Sequence, residues 1–249
     1  MYTLDTATLQ AVRALADREH APVLIHLAET ADEIRTARER YKTTPTQYLE
    51  SIGFWGPRTL AAHGVWLTPA DMRILARRRI GIAHNPESNM KLASGTPKIV
   101  AMRRAGITVG IGTDGAASNN DLDMFEAIRQ AAYLAKLQTS DPRAVPARTA
   151  LEMGTIEGAR ALGMSAQIGS LETGKRADLI AVAMDSARQT PMYDPLSHLV
   201  YTTRGDDVTT TVVNGRILMR DRKMLTMDEA AVLREARGFA ARVREAVGK

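Results

Sequence analysis

Ile107-Thr-Val-Gly-Ile-Gly-Thr-Asp-Gly-Ala-Ala-Ser-Asn-Asn-Asp-Leu122 begins as a short apolar run and stops at Thr113 and Asp114. Ile107, Val109 and Ile111 are β-formers in a run too short for a helix, so the stretch reads as a buried strand delivering one carboxylate. Gly112 and Gly115 bracket the acid with residues that permit unusual backbone angles. Asp114 could instead cap the helix beginning near Leu122, but Asn120 and Asp121 stand closer to that start and are expected to cap it. Chemistry is therefore the favoured reading of Asp114.

The same pattern recurs upstream. Leu9, Val12, Leu15 and Ala16 have helical spacing, and Val23-Leu-Ile-His-Leu27 is a strand running into Ala28-Glu29-Thr30 and a charged helix from about Ala31 to Tyr41. Thr59-Leu-Ala-Ala-His63 is a short strand before Gly64, and Thr68-Pro69-Ala-Asp71 opens a helix with a capping residue and a first-turn proline. Arg79-Ile-Gly-Ile-Ala-His84 is the next strand, closed by Asn85-Pro86, and after a polar loop containing Gly95 a helix from Pro97 to Ala105 leads into the strand that ends at Asp114. Four strands thus end around His26, His63, His84 and Asp114. Strands alternating with helices imply an α/β protein with a parallel sheet, and polar residues at the strands' C-terminal ends fit the active face of a (β/α)8 barrel. Four strand-helix units are visible where a closed barrel needs eight, so half a barrel is expected.

Downstream, residues 122–138 form an amphipathic helix with Met124, Ile128, Ala131, Ala132 and Ala135 available for packing, and one helix is expected from Pro146 to Leu162. From Gly163 the character changes. Ile168 to Asp178 is turn-rich, Leu179 to Ala183 is a strand, and Val208 to Val213, Asn214-Gly215 and Arg216 to Met219 read as a β-hairpin. A charged helix spans roughly Asp228 to Val247. The expected division is a partial barrel over 1–162, part of a β-subdomain over 163–225 and a terminal helix over 226–249.

The 249 residues suffice for a sizeable core, and 45% hydrophobic with 24% charged content is ordinary for a soluble globular protein. No apolar run approaches the roughly 18 residues that span a bilayer, and Met1 to Thr6 lacks the basic and apolar regions of a secretory signal, so a cytoplasmic protein with no membrane partner is expected. The absence of cysteine excludes disulfides and thiolate metal sites in this chain. A net charge of +5 and a pI near 9.6 raise the question of nucleic acid, but the basic residues are interleaved with acids and few aromatics accompany Arg77-Arg78-Arg79. Nucleic-acid binding is rejected on that ground.

His26 and Glu29 lie three apart at a strand end, where an imidazole can bind a metal and a carboxylate can reach beside it toward substrate. His63 shares that placement and is read as functional; for His84 a structural and a functional reading stand side by side, and His20 and His198 lack the placement. A hydrolytic metal site needs an ion to lower the pKa of water, an acid/base to move its proton and a group to steady the developing oxygen. His26, Glu29, His63 and Asp114 can fill those roles. No Gly-x-Ser-x-Gly elbow and no Walker phosphate loop occurs.

His26-Leu-Ala-Glu-Thr30, Ala61-Ala-His-Gly64, Ala83-His-Asn-Pro-Glu-Ser-Asn-Met-Lys-Leu-Ala-Ser-Gly95 and Gly112 to Met124 resemble the amidohydrolase superfamily. They look most like its 5-methylthioadenosine/S-adenosylhomocysteine deaminase group, related to the triazine chlorohydrolases. Gly169 to Ile180 resembles the segment where such proteins leave the barrel for their β-sandwich. The resemblance implies that the visible units are the C-terminal half of the barrel. It implies that His26 and Asp114 ligate a divalent metal, most simply zinc, and that Glu29 binds the purine and protonates a ring nitrogen. His63 would orient the attacking hydroxide, Asp114 would accept the water's proton and help pass it to ammonia, and Ser118 and His84 would contact the purine nucleoside. An adenosine derivative would become the inosine derivative.

The family's His-x-His metal pair occurs nowhere in this chain, so two of four implied ligands have no counterpart. Met1-Tyr2-Thr3 resembles a family Pro-Tyr-Thr segment that follows a substrate-contacting histidine. A piece of a full deaminase is therefore expected, binding metal weakly and turning over poorly by itself. Two alternatives stand beside it: a triazine-type hydrolase, and a non-catalytic interaction module that pairs through an exposed half-barrel edge. A homo-oligomer is left open.

Overall fold

Capping chemistry sets most element boundaries. In the computed structural model, which describes residues 4–248, Asp5 accepts from the Thr8 N–H to start α1 (Thr6–Arg18). β1 (Val23–Leu27) follows, then α2 (Ala31–Tyr41), capped by Thr30, and α3 (Pro45–Ser51), capped by Thr44. β2 (Thr59–His63) leads to α4 (Pro69–Arg78), where Thr68 and Asp71 form a reciprocal capping box. β3 (Gly81–His84), α5 (Pro86–Lys91), α6 (Ile99–Arg104), β4 (Val109–Ile111), α7 (Ala116–Asn119) and α8 (Met124–Thr139) come next. The chain continues through α9 (Ala147–Met153), α10 (Ile156–Ala161), β5 (Leu179–Val182), α11 (Pro195–Tyr201), β6 (Val208–Val213), β7 (Arg216–Arg220), β8 (Lys223–Met224) and α12 (Glu229–Ala246). Met1-Tyr2-Thr3, likened above to a family segment, lies outside the described residues.

Three local expectations are corrected. The helix expected from Pro146 to Leu162 is two, interrupted at Gly154 and Thr155, where Thr155 adopts φ −130° and ψ −100°. A Cβ at Gly154 would fall 2.5 Å from Ile128 Cδ1, so the bare backbone there lets α8 pack against the break. Asp123, not Asn120 or Asp121, caps α8: its Oδ1 accepts from the N–H groups of Phe125 and Glu126 at 2.8 and 3.4 Å. The stretch after Asn85-Pro86 is the short helix α5 rather than a loop, with Pro86 in the first position where its missing N–H costs nothing.

β1, β2, β3 and β4 form a parallel sheet in that order, with Leu27 opposite His63 and His84 opposite Ile111. Val23, Leu27, Ala61, Ile82 and Val109 are buried in one core with Met72, Leu75, Met102 and Met153 from the helices. Burial of such side chains contributes about 1.5–3 kcal/mol each. β5, β6, β7 and β8 form a separate antiparallel sheet. Asn214 and Gly215, at φ 49° and 78°, supply the two left-handed residues that a tight hairpin turn demands. α12 keeps Val232, Phe239 and Val243 exposed. No helix among the described residues is long and apolar enough to cross a membrane.

α10 approaches the sheet closely at two glycines. A Cβ on Gly110 would stand 2.8 Å from Gly158 Cα, and one on Gly81 would stand 2.7 Å from the Ala161 carbonyl oxygen. Gly110→Val should therefore cost about 1–3 kcal/mol through overpacking, read as a lower Tm. Gly238→Ala, in the interior of α12 with open space around it, should stabilise slightly. Equal Tm values for Gly110→Val and the parent would count against the close approach.

His84 ends β3 with 1% exposure, and neither ring nitrogen has a hydrogen-bond partner among the described residues. Burial, aided by the neighbouring His63, pushes its pKa down to about 3 from 6.5. Above pH 6.5 the ring is neutral folded or unfolded; below it the unfolded chain takes up a proton that the folded chain refuses until about pH 3. Stability should fall as pH drops through that window, with a contribution approaching tenfold in the unfolding equilibrium per pH unit. Urea titrations should show a shallower acid-side loss in His84→Phe; matching slopes would rule the buried neutral ring out.

Candidate functional site

Parallel strands deliver their C-terminal ends to one side of the sheet, and three of those ends turn sharply. Ala28, His63 and Asp114 take φ values of 51°, 72° and 62°. Left-handed backbone costs a non-glycine residue on the order of 1 kcal/mol, although His and Asp tolerate it better than most. The turns bring one ligand atom each of His26, His63 and Asp114 within 4.8 Å of one another. His26 is exposed and its ring stacks on that of fully buried His63, with centroids 5.4 Å apart and planes 21° apart.

Glu29 joins this group from the start of α2. Its Oε2 lies 3.8 Å from His63 Nε2, and its backbone N–H donates to Glu33 Oε2 at 2.8 Å. His63 Nδ1 lies 2.9 Å from Asn89 Oδ1, whereas buried Nε2 has no hydrogen-bond partner among the described residues. Ser88 and Ser118 both donate to Asp114 Oδ2, at 2.7 and 2.9 Å. Burial pushes the Asp114 carboxyl up, but the two serine hydroxyls, the Gly115 N–H and the His63 charge together outweigh it and the pKa falls below its usual 3.8.

Two imidazoles and an ionised carboxylate form a nitrogen and oxygen donor set that suits zinc and similar divalent ions. The unpartnered Nε2 of His63 is the kind of buried polar atom such an ion satisfies. The residues present therefore fit a divalent metal, with His63 standing beside the His26 and Asp114 pair in the donor set. Ser118, read as a purine contact, places its hydroxyl on Asp114 and on the Gly115 carbonyl. His84 lies outside the three-residue donor group.

Sequence reasoning assigned no role to Ser88 and Asn89, which support Asp114 and His63. Both sit inside the quoted His84-Asn-Pro-Glu-Ser-Asn89 motif, and their small polar side chains on a buried helix face were the available signal. A second group, Glu87, Asp121 and Glu126, also brings its carboxylate oxygens within 4.8 Å of one another. Burial pushes the Glu87 carboxyl up to about 7, with Glu126, Asp121 and Asp123 adding to the rise against the hydrogen bond from Asn119.

Comparison with known proteins places this geometry. The amidohydrolase family model matches residues 1–218. The chain is 49% identical over 232 residues to a 5'-deoxyadenosine deaminase of Methanosarcina barkeri, covering 93% of this chain and 53% of that protein. It is 47% identical over 246 residues to a 5-methylthioadenosine/S-adenosylhomocysteine deaminase of Desulforudis audaxviator, covering 99% of this chain and 57% of that protein. Among solved structures, an adenosine deaminase from Xanthomonas campestris with bound zinc superposes with a TM-score of 0.95 at 40% identity, covering 98% of this chain and 56% of that one. Atrazine chlorohydrolase TrzN from Arthrobacter aurescens, complexed with zinc, gives 0.85 at 27% identity over 94% of this chain and 52% of that one. The chain spans about half the length of these relatives. With a matching model across most of its residues and an α/β fold built on a parallel sheet, the chain belongs to the amidohydrolase family.

Proposed function

We propose that this chain serves the metal-dependent hydrolytic deamination of an adenosine derivative, 5-methylthioadenosine, S-adenosylhomocysteine or adenosine, to the inosine derivative and ammonia. The observation that carries the reading is the convergence of His26, His63 and Asp114, with Glu29 3.8 Å from His63. The deaminase names of relatives at 47–49% identity support the substrate class. Within the same reading, β1 to β4 are four consecutive strands of the C-terminal half of a (β/α)8 barrel. Residues 1–162 then form the barrel portion, 163–225 part of a β-sandwich and 226–249 a terminal helix.

His26 and Asp114 would hold the ion, zinc being the metal of the Xanthomonas deaminase structure. A divalent ion held there supplies Lewis acidity, lowering the pKa of water toward neutrality. Glu29 binds the purine and gives a proton to a ring nitrogen, which makes the amino-bearing carbon electrophilic, and it regains a proton from the hydroxyl added to that carbon as ammonia leaves and the carbonyl forms. His63 turns its unpartnered Nε2 toward the attacking water and accepts a hydrogen bond from it, orienting the oxygen toward that carbon. Asp114, kept ionised and aimed by Ser88 and Ser118, accepts the water's proton and passes it to the nitrogen as the carbon–nitrogen bond breaks. His84 and Ser118 complete the purine contacts. A triazine-type hydrolase is the second reading, favoured by the superposition on the chlorohydrolase.

Zinc-supplemented protein should release ammonia from methylthioadenosine and shift its absorbance toward that of the inosine product. Asp114→Ala should lower kcat/KM by about 10²–10⁴-fold, the usual worth of a positioned acid/base. Release of chloride or alkylamine from triazines, with adenosines untouched, would decide for the second reading. Glu29→Gln should lower kcat by a similar factor while zinc stoichiometry, read by atomic absorption, stays unchanged. A loss of zinc in that variant would instead make Glu29 a ligand.

A further inference from the structure

We infer that Asn89 is a positioning residue that sets the tautomer of His63, holding the proton on Nδ1 so that Nε2 presents its lone pair to the His26 and Asp114 site. The use made of that lone pair rests on the function proposed above; the tautomer itself does not.

The two side chains are a closed buried pair. His63 is 0% exposed and Asn89 1%, and the contact between Nδ1 and Asn89 Oδ1, at 2.9 Å, is the hydrogen bond each makes through those atoms among the described residues. An amide oxygen has no hydrogen to give, so the contact forms only when Nδ1 is the donor. In the neutral ring the other nitrogen is then unprotonated, and Nε2 is the buried, unpartnered atom facing Glu29 at 3.8 Å. The opposite tautomer would leave the Asn89 oxygen facing the ring without a donor, or require the amide to turn so that Nδ2, which has no hydrogen-bond partner among the described residues, meets Nδ1 instead.

α5 holds the amide in place. The Asn89 N–H donates to the Asn85 carbonyl at 3.0 Å and its own carbonyl accepts from the Ser94 N–H at 2.9 Å, so the backbone on both sides is tied. The preceding residue, Ser88, donates to Asp114 Oδ2 from the same helix turn. One short helix thus sets the donor atom of two members of the cluster, through Ser88 for Asp114 and Asn89 for His63.

The test is nitrogen NMR of the full chain with 15N-labelled imidazoles, without metal. The chain has five histidines, so loss of one signal pair in His63→Gln assigns the ring. Expected in the parent is a protonated Nδ1 and an unprotonated Nε2. Asn89→Leu, which keeps the volume and removes the acceptor, should move His63 toward the Nε2-protonated form, and Asn89→Asp, which keeps an acceptor oxygen, should restore the parent pattern. An Nε2-protonated ring in the parent, which requires the amide nitrogen rather than its oxygen to face the ring, overturns the inference. An unchanged tautomer in folded Asn89→Leu overturns it too. Should that variant fail to fold, the parent spectrum and Asn89→Asp still decide. Absence of deamination with the expected tautomers would sink the proposed function and leave the Asn89 assignment standing.

Discussion

Parallel pairing of β1, β2, β3 and β4 is the constraint on which the rest of the structure depends. Each strand must return to the same starting side through a crossover, so all four leave the sheet in one direction. The register aligns their last residues: Leu27 lies opposite His63, and His84 opposite Ile111. Residues far apart in sequence therefore arrive at one edge, where backbone turns at Ala28, His63 and Asp114 gather the side chains. The left-handed turns cost free energy that the buried core beneath them offsets.

Burial then acts on every ionisable group near that edge, and the local donors decide what each becomes. Asp114 receives two serine hydroxyls and stays ionised below its ordinary range. Glu87, in α5, is raised to about 7 by burial first, with Glu126, Asp121 and Asp123 adding to the rise against the hydrogen bond from Asn119. His84 receives no partner among the described residues and is held neutral down to about pH 3. Three groups thus carry three different charge behaviours, set by burial alone or by its balance against hydrogen bonds and neighbouring charges.

α8 ties the parallel sheet to the segment between β5 and β6 of the second one. Asp123 accepts from its own helix N-terminus with Oδ1 and from the Gly205 N–H with Oδ2, the latter at 2.8 Å. Arg129, one and a half turns further along, donates to the carbonyl oxygens of Val200 and Thr203. The N-terminal half of α8 thereby carries both the cap and the cross-links to residues 200–205.

Sequence by itself determined the features that depend on near neighbours. The bounds of β1, β2 and α2, the Thr68 and Asp71 capping box and the Asn214-Gly215 hairpin are all local, since alternation, capping residues and left-handed turns act over a few positions. Tertiary structure alone decided which side chains meet. Asn89 reaches His63 and Ser88 reaches Asp114 across separations of 26 residues each, and Gly154, beside the break between α9 and α10, leaves the space that Ile128 fills. No local propensity encodes such contacts; they follow from the parallel register and from packing, which exist only once the strands are side by side.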